Sequence, residues 1–206
     1  RDFAQTPEAE VIECLRSAAE RRQADDPGTQ RPPPVVERHV DVVVDADGVS
    51  LDGYLNVPEH ARGLVVFAHG SGSSRHSSRN RFVAKTLNDA RIATLLFDLL
   101  TVDEESTPEH VFDVALLGDR LAATLEWVRQ DEALASLPLG LFGASTGAAA
   151  ALWAAATPGS DVAAVVSRGG RPDLAGLRLA EVRSPTLLIV GGQDTRVLEL
   201  NREALG

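Results

Sequence analysis

The stretch Gly143-Ala144-Ser145-Thr146-Gly147 sets a serine between two glycines, where the apolar run Leu139–Phe142 gives way to the alanine run Ala148–Ala151. GxSxG at a strand-to-helix junction is the pattern of a nucleophile elbow. The turn is too tight for side chains two positions either side of the serine, and glycines at 143 and 147 remove those clashes. Ser145 is then expected in a strained backbone conformation, its hydroxyl projecting above a sheet. The helix opening at Thr146 aims unpaired N–H groups and its positive end at the same point. The chemistry served by such an arrangement is nucleophilic acyl transfer.

Acyl transfer also needs oxyanion donors, an acid and a base. One donor is expected from the N–H of Thr146. The other is expected from Ser71, in "AHGSGSS", where Gly72 keeps the loop tight. Asp194, in "LLIVGGQD", follows a late apolar run and stands where the acid falls in the chain order serine, acid, histidine. Asp98 ends an earlier run and is expected as a loop or helix-start residue. Arg75 and His76, with Arg79 and Arg81 in "SRHSSRNR", are candidates to meet an anionic substrate; the competing reading is a solvated loop. "SRGGRPD", Ser167 to Asp173, is expected at the pocket rim. The five histidines, His39, His60, His69, His76 and His110, all precede Ser145. His69 is expected to be structural. The base is therefore expected beyond Gly206, with His76 as a substitute or a dead site as the alternatives. These 206 residues alone are expected to turn over esters poorly or not at all.

These residues need a scaffold that collects them at one edge. "VERHVDVVVDADGVSLDGYLNV" alternates either side of Asp47-Gly48 and predicts a hairpin. "GLVVFAHG", "IATLLFD", "LGLFG", "DVAAVVS" and "PTLLIVGG" predict short strands buried on both faces. "RFVAKTLNDA", "VFDVALLGDRLAATLEWV" and "TGAAAALWAAA" predict helices between them. Alternating buried strands and helices imply a mostly parallel central sheet, with helices on both faces and the antiparallel leading hairpin at one edge. In such a sheet ligands gather beyond the carboxyl ends of the strands, where the candidate residues fall. Ahead of it, Thr6-Pro7-Glu8 reads as a helix start, residues 1–22 as a helical segment and residues 23–34 as a proline-rich linker.

Composition excludes several classes. The net charge is −10 and Lys85 is the sole lysine, so general affinity for nucleic acid or an anionic membrane surface is not expected. The single cysteine, Cys14, is expected as a small buried hydrophobe, permits no internal disulfide and fits a reducing, cytoplasmic setting. No apolar run reaches the length of a membrane span, and the first residues do not read as a secretory signal. No metal or organic cofactor is expected.

"FAHGSGSSRHSSRNRFVAKTL", "FDLLT", "LGLFGASTGAAAAL", "VVSRGGRPDLAG" and "PTLLIVGGQDTRVLELNREAL" together resemble α/β-hydrolases of the dienelactone-hydrolase type, over about residues 35–206. The resemblance is closest to the branch fused behind a phosphoribosyltransferase, and "RDFAQTPEAEVIECL" is similar to the last segment of such a domain. It implies an α/β-hydrolase fold, here ending before the last helix and strand, with Ser145 as nucleophile and Asp194 as acid. Ser145 stands where dienelactone hydrolase itself has cysteine, so the activity implied is serine hydrolysis of an ester, thioester or lactone. The alternative is a non-catalytic module partnering the fused transferase. An edge of the sheet left open is expected to favour oligomers.

Overall fold

The computed structural model describes residues 36–44 and 49–205. The expected amino-terminal helix, Cys14, the linker and the Asp47-Gly48 turn lie outside the described residues. One seven-stranded sheet organises the rest, in the order β1-β2-β4-β3-β5-β6-β7. The strands are β1 (Val36–Val44), β2 (Val49–Val57), β3 (Leu64–Ala68), β4 (Ala93–Phe97), β5 (Leu139–Ala144), β6 (Val162–Arg168) and β7 (Thr186–Ile189). The leading hairpin β1–β2 is antiparallel and joins β4 antiparallel; every pairing from β4 through β7 is parallel.

The strand period of two divides the core. Val66, in register with Leu95 and Leu141, faces the larger cluster. There it meets Leu117, Leu121, Leu125 and Val128 of α4 (Val114–Gln130) and the small residues of α5 (Thr146–Ala155). Phe67, in register with Leu96 and Phe142, faces the other side and packs with Ala84, Val83 and Leu87 of α1 (Ser78–Asp89). Helices thus cover both faces, as a buried parallel sheet requires. The alanines of α5 are almost wholly buried, so the helix lies close against its strands.

Two strands depart from expectation. Among the described residues β7 pairs with β6 alone, and Leu187 and Ile189 are 57% and 45% exposed. β6 exposes Ala163 and Ala164. Continuous hydrophobicity marks a strand without saying how many neighbours cover it. The helix expected from Val111 begins instead at Val114, capped by the Asp113 carboxylate on the Leu116 N–H at 3.0 Å. Before it stand two short turns, α2 (Val102–Glu105) and α3 (Pro108–Val111), and after β6 a kinked 3₁₀ segment runs over Pro172–Glu181. No helix among the described residues is long and apolar enough to cross a membrane.

Candidate active site

Ser145 sits between β5 and α5 with φ 53° and ψ −122°, a left-handed conformation that a side-chain-bearing residue rarely adopts. Holding it there costs about 1–3 kcal/mol, met by the surrounding packing. Its N–H donates to the Arg168 carbonyl at 3.3 Å, and its carbonyl accepts from Ala148 and Arg171 at 3.1 and 3.3 Å. A serine preceding a helix ordinarily caps it with its hydroxyl. Ser145 makes no such bond and is exposed.

The flanking glycines are sterically required. A Cβ on Gly143 would lie 2.4 Å from the Ala148 Cα, and one on Gly147 would lie 2.2 Å from the Ala68 carbonyl oxygen. Gly70 is similarly close: a Cβ there would sit 3.0 Å from the Ser145 Cβ. The loop after β3 and the elbow are therefore in contact, and one bond fixes them. The Ser71 N–H donates to the Thr146 hydroxyl at 2.9 Å. The two residues expected to supply oxyanion donors thus hold each other. Thr146 is also the first residue of α5, so no carbonyl within that helix can reach its N–H.

His69 is buried and both ring nitrogens are engaged. Nε2 accepts from the Leu99 N–H at 3.0 Å, which leaves the proton on Nδ1, 3.0 Å from the Gly70 carbonyl. Its ring ties the end of β4 to the loop after β3.

Asp194 is exposed and caps α6 (Thr195–Glu203), its Oδ1 accepting from the Val197 N–H at 3.2 Å. This helix is linked to the elbow through Gly170. Asn201 donates to the Gly170 carbonyl at 2.9 Å, and a Cβ on Gly170 would meet the Ala148 Cβ at 2.5 Å. "SRGGRPD" thus joins the elbow to the helix that Asp194 begins.

Arg75 and His76 behave differently from each other. The Arg75 backbone N–H donates to Asp98 at 2.6 Å, and its guanidinium bonds Asp98 and, at 3.0 Å, Asp52. It also lies 5.5 Å from the Tyr54 ring centroid. The charge anticipated for an anionic substrate is already matched by two carboxylates, and Asp98 is the anchor of the loop after β3. His76 is exposed, with Nδ1 3.4 Å from the Tyr54 hydroxyl. It lines a hollow with Tyr54 and Asn56 whose lining shares no residue with the one beside the elbow.

That neighbouring cavity, of about 520 Å³, has Gly70, Ser71 and Thr146 on one wall and Leu100, Val111 and Phe112 on another. The segment from Thr101 to Phe112 forms part of its cover, contributing Glu105, Pro108, Val111 and Phe112 to the lining. Thr101 and Glu104 form a capping box, and the buried Arg120 guanidinium bonds the Glu104 carboxylate in a two-pronged grip while donating to the Leu99 carbonyl at 3.1 Å. Hydrogen bonds from Arg120 lower the Glu104 pKa to about 2, against burial acting the other way. Sequence reasoning passed over this cover, although Thr101-x-x-Glu104 and Thr107-Pro108 are helix-start signals. Among the described residues no group of three or more His, Cys, Asp or Glu is arranged to hold a metal ion.

Comparison with known proteins places this geometry. No family model matches the chain. It is 55% identical over 205 residues to a protein named as a phosphoribosyl transferase in two strains of Mycobacterium tuberculosis; the match takes in 99% of this chain and 46% of the relative. The chain thus spans about half the length of the curated relatives it matches. The crystal structure of a dienelactone hydrolase from Anabaena variabilis is 49% identical, with a TM-score of 0.77 over 85% of this chain and 81% of that one. A dienelactone hydrolase-like promiscuous phosphotriesterase from metagenomic libraries, 21% identical, shares the fold with a TM-score of 0.65 over 83% of this chain and 76% of its own. With that sheet order, that elbow and 49% identity to a solved member over 85% of its length, the chain belongs to the dienelactone hydrolase family of α/β-hydrolases.

Proposed function

We propose that the protein is a serine hydrolase acting on a carboxylic ester, thioester or lactone through an acyl-enzyme on Ser145. The Ser145 Oγ attacks the carbonyl carbon, and the carbonyl electron pair moves onto oxygen. The N–H groups of Thr146 and Ser71 receive that oxyanion, the Ser71 N–H turning from the Thr146 hydroxyl as it does so. The intermediate collapses, the bond to the leaving oxygen or sulfur breaks, and the proton taken from Ser145 passes to that atom. Water then attacks the acyl-enzyme and frees the acid. We assign the proton relay to a histidine oriented by Asp194 and other than His69, both of whose ring nitrogens are occupied. The observation that carries the reading is the exposed, non-capping Ser145 hydroxyl on a left-handed backbone at a helix N-terminus.

The curated relatives' name, and their length of about twice this chain, support a fusion with a phosphoribosyl transferase domain. The test is labelling of the full-length protein by a fluorophosphonate probe. Ser145→Ala is expected to abolish the label and Ser167→Ala, at a fully buried serine, to keep it. Absence of any label on the unaltered protein, or its survival in Ser145→Ala, rejects the mechanism and leaves the hydrolase fold as a non-catalytic partner of the transferase.

A further inference from the structure

We propose that Asn201 is a positioning residue for the acid: through the Gly170 carbonyl it fixes where Asp194 stands relative to Ser145. The inference rests on the serine-ester reading above, with Asp194 as acid, and adds a residue to it. Arg168, Gly169, Gly170 and Arg171 form a saddle between nucleophile and acid. Its outer pair holds the elbow. The Arg168 carbonyl accepts from the Ser145 N–H, and the Arg171 N–H donates to the Ser145 carbonyl, each at 3.3 Å. Its inner pair holds the segment that carries Asp194. The Gly169 N–H donates to the Ile189 carbonyl, at the end of β7, at 2.7 Å. The Gly170 carbonyl accepts from Asn201 Nδ2, in α6, at 2.9 Å. Four consecutive residues of backbone thus set the spacing of the two groups.

Both ends of the Asn201 bond are fixed. A Cβ on Gly170 would lie 2.5 Å from the Ala148 Cβ and closer still to the Ser167 Oγ, so the Gly170 peptide sits hard against α5. Asn201 is 4% exposed, and its Nδ2 also donates to the Val197 carbonyl at 2.8 Å, one turn back, so its own helix sets the direction of the amide. Leu200 and Asn201 are the buried residues of α6. Leu200 supplies contact without direction, whereas Asn201 supplies a directed bond. By propensity leucine suits a buried helical position better than asparagine. Asn201 Oδ1 is buried with no partner among the described residues, so the Nδ2 donor is what the asparagine contributes. Asp194 precedes Asn201 by two turns, or about 10 Å along the axis. A tilt of about 6° about Asn201 would carry the acid about 1 Å over that length. A displacement of about 1 Å costs on the order of 100-fold in rate at a reacting centre.

A double-mutant cycle between Asn201 and Asp194 in the full-length protein tests this, read by the rate constant and the final extent of fluorophosphonate labelling and by kcat and KM for p-nitrophenyl acetate. Asn201→Leu is close in size and lacks the donor; Asn201→Ala also lacks it and serves if the leucine does not fit. Asp194→Asn keeps an oxygen for the Val197 N–H, and so the helix cap, while removing the charge. Asn201→Leu is expected to lower the labelling rate constant and kcat about tenfold or more, with KM and the final extent of labelling within about twofold. Asp194→Asn is expected to cost more, on the order of 10³–10⁴-fold in kcat. In the Asp194→Asn background Asn201→Leu is expected to cost less than about twofold further. A residue that only stabilises the fold lowers the extent of labelling and leaves the rate constant of the folded molecules alone. That pattern, or an equal loss in both backgrounds, or an unchanged rate constant in both Asn201 variants, overturns the positioning role and leaves the serine-ester reading standing. A full-length protein without label at Ser145 rejects that reading itself, and an Asp194→Asn protein with an unchanged rate constant rejects the acid; either takes this inference with it.

Discussion

Gly147→Ala sets two effects of opposite sign against each other. Gly147 is a helical residue, and by intrinsic propensity alanine in its place would stabilise α5 by about 1 kcal/mol. The added methyl, however, would lie 2.2 Å from the Ala68 carbonyl oxygen and 2.3 Å from that of His69. Both are backbone atoms, one at the end of β3 and one in the loop beyond it, so no side-chain rotation relieves the contact. Helix and strand must separate by roughly 1 Å, and overpacking of this kind costs about 1–3 kcal/mol, here at the upper end. The net loss is about 2 kcal/mol, or roughly 4–8 °C in Tm for a domain of this size. The same displacement moves Ser145 against the Ser71 loop, and a shift of about 1 Å at reacting atoms costs on the order of 100-fold in rate. Gly191→Ala is the control, because a Cβ there meets nothing within 4 Å. Denaturant unfolding and fluorophosphonate labelling rate read both quantities. A Gly147→Ala protein as stable as the unaltered one, labelled at the same rate, would refute the claim that this glycine exists for the close approach of β3 and α5.

The clasp on the cavity cover gives two more expectations. Arg120→Met leaves the Glu104 carboxylate without its partner and should cost about 3 kcal/mol in denaturant unfolding. Glu104 sits at about 2 when folded and at its ordinary value near 4.5 when unfolded, so the folded protein binds fewer protons between those values. Its stabilisation is complete above pH 4.5 and is lost as pH falls toward 2; Glu104→Gln should flatten the unfolding free energy across that window. Thr146→Val removes the acceptor of the Ser71 N–H and should slow ester turnover about tenfold with a stability change near 1 kcal/mol, whereas Thr146→Ser should retain most activity. His69→Ala strands the Leu99 N–H and the Gly70 carbonyl and should destabilise by about 2 kcal/mol, yet at a temperature where it is folded it should still label at Ser145.

Much of the sheet was legible because buried parallel strands leave nearly continuous apolar runs, and Leu64–Ala68, Ala93–Phe97 and Leu139–Ala144 each fall within one. β7 reads identically and, among the described residues, pairs with β6 alone and is largely exposed. The elbow was legible for a different reason: its glycines flank the serine in a fixed short pattern, and Gly143 answers to Ala148, five residues on. The loop after β3 was harder. Its arginine looked like a free cation because its partners, Asp98 and Asp52, arrive from β4 and β2, 23 residues away on either side. Pairing over that span follows from strand order, which local pattern does not contain. The cover over the cavity was missed because four-residue turns are too short for periodicity, although their caps were written in the sequence.

Asp52 lies in the leading hairpin, on the strand beside β4, and its carboxylate grips Arg75. That grip makes the hairpin a working part of the machine rather than trim. Besides its bonds to Thr146 and Leu99, the loop carrying Ser71 is held through Arg75 by two carboxylates, Asp98 just past β4 and Asp52 in the antiparallel flap. A change of residue 52, or a shift in how the flap lies on its neighbour, is transmitted along one guanidinium to the loop that flanks the nucleophile. Homologues that shorten or replace this flap must secure the loop by some other means.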